Sequence, residues 1–117
     1  MRFAVLVILP AGTPLLTGVT HVLAPYGDDH EWDSWELGGA WCGLFHGQES
    51  CPLLLVTEQQ YAACHSIVTP TAWWGGTRYE PWHSEIAARF PRQVLPPLWW
   101  LQHEYPDHLA AIVSCHT

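Results

Sequence analysis

Two short apolar runs, one near each end of the chain, constrain the fold more than any other feature. They are Arg2 to Leu9 and Leu109 to Ser114, and both are rich in β-branched residues. Runs of this length and composition are typical of strands that are buried on both faces of a sheet. We therefore expect both ends of the chain to supply central strands of one sheet.

Between these runs, apolar spacing and capping residues predict four helices. The predicted helices are Pro14 to Ala24, Glu58 to Cys64, Trp82 to Phe90 and Pro96 to Tyr105. The clearest start is the capping-box pattern Thr57 to Gln60, in which two side chains bond to free backbone N–H groups. Gly18 disfavours the first helix by about 1 kcal/mol relative to Ala.

Further short strands are predicted from aromatic and β-branched content. They are Glu31 to Leu37, Ala40 to Phe45, Leu53 to Val56 and His65 to Thr69. The order of elements predicts an α+β fold: a single domain over residues 1–117, with a mixed or antiparallel sheet of about five strands and helices packed on one face.

The segment from Trp32 to Trp41 is the most unusual part of the chain, which holds eight Trp in 117 residues. Gly38-Gly39 suits a tight hairpin turn, because such turns need positive φ. We therefore predict a hairpin of residues 31–37 and 40–45. Its tryptophans either fill the core or stack on a flat ligand, since indole serves both purposes.

The charge balance excludes several kinds of partner. The net charge is −7, with four Arg and no Lys. Binding to long nucleic acid needs many cationic contacts with phosphates, and an anionic lipid surface needs a basic patch, so we expect neither. No apolar run is long enough to span a bilayer. A small ligand with one or two phosphates is compatible with the sequence, because one Arg and backbone N–H groups suffice to bind it.

The four cysteines, at positions 42, 51, 64 and 115, contain no CxxC pair. We expect reduced thiols that pack as small apolar groups, with two disulfides as the alternative in a secreted protein. Cys64-His65 and Cys115-His116 would supply a zinc site if their strands were neighbours. Neighbouring residues of a strand point to opposite faces, however, so we expect neither a metal nor a cofactor.

Several segments together form a recognisable pattern. They are Leu23-Ala24-Pro25-Tyr26, Trp-Asp-x4-Gly-Gly-x-Trp-x-Gly from Trp32 to Gly43, Val68-Thr69-Pro70 and Val113-Ser114-Cys115-His116. This pattern resembles a family of small proteins of bacteriophages and their bacterial hosts. Ala40 and Ser114 depart from it, since the family pattern has Arg and Asp there. The resemblance implies a phage or prophage setting, a cytoplasmic location and action against host defence, for example by sequestering a nucleotide signal.

Two clusters that combine aromatic residues with glycines predict a ligand pocket. Their binding residues are Trp35, Gly39, Trp41, Trp74, Gly76, Arg78 and Tyr79. Trp41 and Trp74 would stack on a base, because aromatic faces bind any base. The glycines would offer backbone donors, and Arg78 would pair with a phosphate. In the alternative interpretation, the glycines make turns and the tryptophans pack the sheet.

These observations favour a non-catalytic small-ligand-binding protein of phage origin. It would sequester a nucleotide-type host immune signal, most simply as a homo-oligomer with Trp at its interfaces. The chain has no P-loop, dinucleotide fingerprint or nucleophile elbow, so no catalytic residue is predicted. Two alternatives stay open: an acidic inhibitor that binds a host protein, and a small metal-dependent enzyme.

Overall fold

The structure is built on one mixed sheet with helices against it. A computed structural model of the protein describes residues 2–27, 34–75 and 95–116. The strands are β1 (Arg2–Pro10), β2 (Ser34–Leu37), β3 (Ser50–Pro52), β4 (Ser66–Val68), β5 (Trp73–Gly75) and β6 (His108–His116). The helices are α1 (Leu15–Gly27), α2 (Glu58–Ala62) and α3 (Leu98–Glu104), with 3-10 helices at Gly39–Phe45 and Leu53–Leu55.

The two apolar end runs form the centre of this sheet, as the sequence predicts. The strand order is β2-β6-β1-β4-β5, and β3 also pairs with β6. β1 and β6 are antiparallel along their whole length, from Arg2 opposite His116 to Pro10 opposite His108. β1 and β4 are parallel. The predicted α+β fold with a mixed sheet is therefore confirmed, with six strands in the described residues.

The two faces of the sheet carry separate cores, because side chains alternate along each strand. The first core includes Leu6, Ile8, Phe45, Tyr61, Trp74, Leu101 and Ile112. The second core includes Val5, Val7, Leu9, Val19, Leu23, Trp73 and Val113. α1 covers the second core, whereas α2, α3 and both 3-10 helices cover the first. Helices thus lie on both faces of the sheet, whereas the sequence predicts helices on one face. The reason is that residues 3–9 are all buried, so this strand needs cover on both sides.

The predicted hairpin at the two glycines is wrong, because the chain leaves the sheet there. β2 pairs with β6 up to Leu37, and the Gly38 N–H donates to the Ile112 carbonyl at 2.7 Å. The chain returns at Glu49, whose carbonyl accepts from the Ile112 N–H at 2.9 Å. β2 and β3 are therefore two halves of one edge strand beside β6. Residues 39–48 form an excursion whose 3-10 helix packs on the first core.

Other local predictions are confirmed or corrected by hydrogen bonding. At the predicted capping box, the Thr57 N–H donates to Gln60 Oε1 at 2.9 Å and the Gln60 N–H donates to Thr57 Oγ1 at 3.2 Å. Leu53–Leu55 is a 3-10 helix rather than a strand, and β3 lies where a loop is predicted. The predicted helix Trp82 to Phe90 lies outside the described residues.

Helix α1 shows why Gly18 is present despite its low helix propensity. A Cβ on Gly18 would lie 2.5 Å from Leu9 Cδ1, so the glycine permits close packing of α1 on β1.

Within residues 2–27, 34–75 and 95–116, every helix is too short or too polar to cross a bilayer.

Gly38 tests the account of the interrupted edge strand. Its φ is 73°, and a Cβ there would collide with the Cys42 Sγ. We expect Gly38→Ala to lower the free energy of unfolding by about 1–3 kcal/mol. The alanine would hold a strained positive φ, and its Cβ would clash with the Cys42 side chain. Gly43→Ala is the matched control, since a Cβ on Gly43 meets nothing within 4 Å. Equal urea midpoints for the two variants would contradict the account.

Candidate functional site

The sheet face that carries the first core becomes polar at one end. β6 continues past the core residue Ile112 with Ser114 and His116, which alternate onto the same face. Arg2 of β1 and Glu36 of β2 flank this end of β6. Helices cover the apolar part of the face, whereas no helix among the described residues covers the polar end.

Backbone pairing sets these side chains in two rows across three strands. In the outer row, His116 is the register partner of Arg2 in β1 and of Ser34 in β2. In the inner row, Ser114 is the partner of Glu36 in β2. Opposed residues of antiparallel strands have Cβ atoms about 4.5–5.5 Å apart, so the side chains within a row are neighbours.

The two rows form the floor of an open pocket with a volume of about 350 Å³. Its lining residues are Arg2, Ser34, Trp35, Glu36, Ser114 and His116. Ser114 is the most deeply placed, with 3% of its surface exposed. Small-molecule sites span about 300–1,000 Å³, so this pocket suits one small polar ligand.

An ion pair crosses the pocket. The Arg2 Nη1 atom lies 4.0 Å from the Glu36 Oε1 atom, and the two side chains are 64% and 59% exposed. Arg2 belongs to β1 and Glu36 to β2, which lie on opposite sides of β6. The pair therefore reaches over β6. Exposed pairs of this kind contribute about 0–1 kcal/mol, so the contact exchanges readily with other partners.

The pocket concentrates hydrogen-bond donors in an acidic chain. Arg2 is the one Arg or Lys in the described residues, whereas the whole chain has a net charge of −7. His116, Ser34 and Ser114 add an imidazole and two hydroxyls. Because Arg only donates and a carboxylate only accepts, Glu36 is the single dedicated acceptor among these side chains. The set is suited to a ligand with anionic oxygens.

Within the described part of the chain, no hydrogen bond joins the Ser34 or Ser114 hydroxyl to His116. Ser114 and His116 are two residues apart on one strand face, a spacing of about 6.6 Å. An activated nucleophile needs its base within about 3.2 Å.

Of the predicted binding residues, Trp35 lines this pocket and Gly39 packs against one of its lining residues, Glu36. Trp35 is part of the pocket wall, while its side chain packs against the second core on the other face. Gly39 packs directly against the Glu36 side chain, because a Cβ on Gly39 would lie 2.5 Å from a Glu36 carboxylate oxygen. Gly39 thus leaves room for the Glu36 side chain.

Trp41 and Trp74 lie at the first core instead. Trp74 is 5% exposed, so a ligand reaches its ring only if neighbouring groups move. Trp41 is half-buried, and its Nε1 is buried with no acceptor among the described residues. Their predicted stacking role stays a prediction. Gly76, Arg78 and Tyr79 lie outside the described residues.

A second depression, of about 240 Å³, lies beside the first 3-10 helix. Phe45, Cys51, Leu55 and Gln60 contribute to its wall. The Gln60 amide is already engaged, because its Nε2 donates to the Leu44 carbonyl at 2.8 Å and its Oε1 accepts from a backbone N–H. The lining is completed by His46, Gln48, Ser50 and Thr57. The surface of this depression is mostly apolar, whereas that of the pocket at the end of β6 is about half polar.

The cysteines are free thiols, as predicted. Burial raises the pKa of Cys64 and of Cys115 to about 12, so both stay protonated at neutral pH. The zinc arrangement would need β4 beside β6, but β1 lies between them. The described residues contain no group of three or more His, Cys, Asp or Glu that would hold a metal ion.

Comparison with known proteins gives no relative: no family model matches the chain, and no curated protein or solved structure matches it significantly.

Sequence reasoning did not single out Arg2, Ser34 or Glu36 as site residues, and it considered His116 only as a candidate zinc ligand. The available signal is the alternation of polar residues at one end of otherwise apolar strands, as in Ser114-x-His116. That pattern gains meaning only when the register of three strands is known.

The buried thiols predict the alkaline stability of the protein. In the unfolded chain the thiols ionise near pH 9.0, whereas the folded pKa of Cys64 and Cys115 is about 12. The contribution of the protonated thiols to the free energy of unfolding is complete below pH 9. It is lost as pH rises towards 12, because over this range only the unfolded chain releases these protons. Urea unfolding from about pH 8 to about pH 11 measures this decline. The double variant Cys64→Ala, Cys115→Ala should show a shallower decline relative to its own value at neutral pH; an unchanged slope would contradict the assignment.

Proposed function

We propose that this protein binds a small nucleotide-type ligand without catalysing a reaction, and that the ligand lies in the pocket at the end of β6. The observation that carries the proposal is the meeting of two distant segments. Residues 34–36 and residues 114–116 become neighbours through the pairing of β2 with β6. Both segments belong to motifs that the sequence analysis selects, and both contribute polar side chains to one pocket.

The composition of the pocket supports a ligand rather than a structural role. A sheet face gains stability by burying apolar residues under another layer. Three adjacent strands here carry polar residues at the same end, and the pocket above them is open. A nucleotide matches this surface, since its anionic oxygens accept from Arg2 and His116 and its hydroxyl or amino groups donate to Glu36.

The proposal includes a biological setting. The domain acts in the cytoplasm of a phage-infected or prophage-carrying cell and sequesters a host nucleotide signal. Its support is the resemblance of the Trp-Gly core and the closing segment to small phage proteins. A homo-oligomer belongs to the same proposal, and light scattering after gel filtration measures it.

Thermal shift with a panel of cyclic and linear nucleotides tests the function. A ligand that binds only the folded state stabilises it by about 2.7 kcal/mol at a concentration of 100 Kd, so the Tm of the protein should rise with at least one nucleotide. His116→Ala should remove most of this rise, because it deletes the central side chain of the outer row.

His103→Ala is the matched control, since His103 is an exposed histidine on α3. It should keep the full ligand-induced rise in Tm. The proposal is wrong if no nucleotide changes Tm, or if the two histidine variants respond alike.

A second candidate function is the inhibition of a host protein through an apolar contact. Leu54, Leu55 and Trp99 are exposed in a chain of net charge −7. Gln102 Nε2 donates to the Leu53 carbonyl at 3.1 Å, which ties α3 to the 3-10 helix that carries the two leucines. Large exposed apolar side chains on adjacent elements are typical of protein interfaces.

A further inference from the structure

We infer that the Glu36 carboxylate holds the place of an anionic group of the ligand, so that the ligand binds by displacing Glu36 from Arg2. The recognised group is an oxyanion, either a carboxylate or a phosphate. This inference rests on the proposed function, because it names the chemistry that the same pocket selects.

The geometry of the ion pair points to this exchange. Arg2 and Glu36 project from strands on either side of β6 and meet over it, with Nη1 and Oε1 4.0 Å apart. A carboxylate oxygen therefore already lies beside Arg2 at the pocket that Ser114 and His116 also line, and the same oxygen packs against Gly39. A ligand oxyanion at the same point would pair with the guanidinium, in a pocket that the imidazole and the two hydroxyls also line.

The strength of the pair makes displacement favourable. The separation of 4.0 Å is longer than the about 2.7–2.9 Å of a charge-assisted hydrogen bond, and both partners are mostly exposed. A free oxyanion has no backbone tether, so it can approach Arg2 closely in the bidentate geometry that the planar guanidinium prefers. Glu36 and the ligand then compete for one cation, which is the one Arg or Lys of the described residues.

The competition between Glu36 and the ligand for Arg2 also makes the pocket selective for anionic ligands over neutral ones. A neutral compound supplies no negative charge to replace that of Glu36 beside the Arg2 guanidinium, so it competes with Glu36 less well than an anion does. An anion gains the ion pair with Arg2 and frees the Glu36 carboxylate to accept hydrogen bonds from other groups of the ligand or from water. Removal of the Glu36 charge should therefore strengthen anion binding beyond the general effect of a less acidic chain.

Titration of the full chain with inorganic phosphate, and separately with acetate, tests the inference. Backbone amide NMR shifts of residues 34–36 and 114–116 give the Kd. Glu36→Gln should lower the phosphate Kd by about two- to five-fold relative to Glu104→Gln, as expected for loss of an exposed ion-pair competitor. Glu104 is the matched control, because it is exposed at the far end of α3 and its substitution changes the net charge equally.

Arg2→Gln should abolish the response to both anions, with an unchanged Tm showing that the variant is folded. Tighter binding of phosphate than of acetate to Glu36→Gln indicates a phosphate-bearing ligand, and the reverse order indicates a carboxylate-bearing one. The inference is overturned if Glu36→Gln and Glu104→Gln bind phosphate equally, or if Arg2→Gln binds it as well as the wild type.

These outcomes are separate from those of the proposed function. In one outcome, a neutral nucleoside is the only ligand that raises Tm, with the rise dependent on His116 and with no phosphate binding at Arg2. That result would support the ligand pocket and reject the inference that the ligand carries an oxyanion. If phosphate binds with the expected pattern among the variants but no nucleotide changes Tm, the oxyanion inference holds and the proposed nucleotide-type ligand is wrong.

Discussion

The pairing of β6 with three other strands is the constraint on which the rest of the structure depends. β6 pairs with β1 over nine residues on one edge, and with β2 and β3 on the other. Its residues 110–113 are buried and contribute alternately to the two cores. Because β6 is fixed on both edges and both faces there, its continuation through Ser114 to His116 is held in register where the helical cover ends.

The interrupted edge strand divides that face into a covered part and an open part. At Gly38 the chain leaves β6, and residues 39–48 fold over the first core before Glu49 returns to the sheet. Residues 34–37 stay in the edge strand, and within the described part of the chain no helix lies over the polar end. One backbone excursion thus completes an apolar core and sets the border of a polar pocket. This explains why Gly39 packs against Glu36 although neither belongs to the core.

Sequence patterns predict those elements whose signals are long or local. β1 is apolar over its whole buried length and β6 over residues 110–113, and the capping box at Thr57 depends on two nearby side chains. The Gly38-Gly39 pair is ambiguous, because positive φ suits both a hairpin turn and an exit from the sheet. The long-range hydrogen bonds to Ile112 decide between them. The pocket is hidden for the same reason, since its side chains meet only through the registers of β2, β6 and β1.

The central claim is that ligands bind at the end of β6 rather than beside the tryptophans of the first core. Chemical-shift mapping of backbone amides on addition of nucleotides tests it most directly. The account predicts that the largest shifts fall on residues 34–36 and 114–116, with Arg2 beside them. Shifts centred on Trp41 and Trp74, with the end of β6 unchanged, would contradict it.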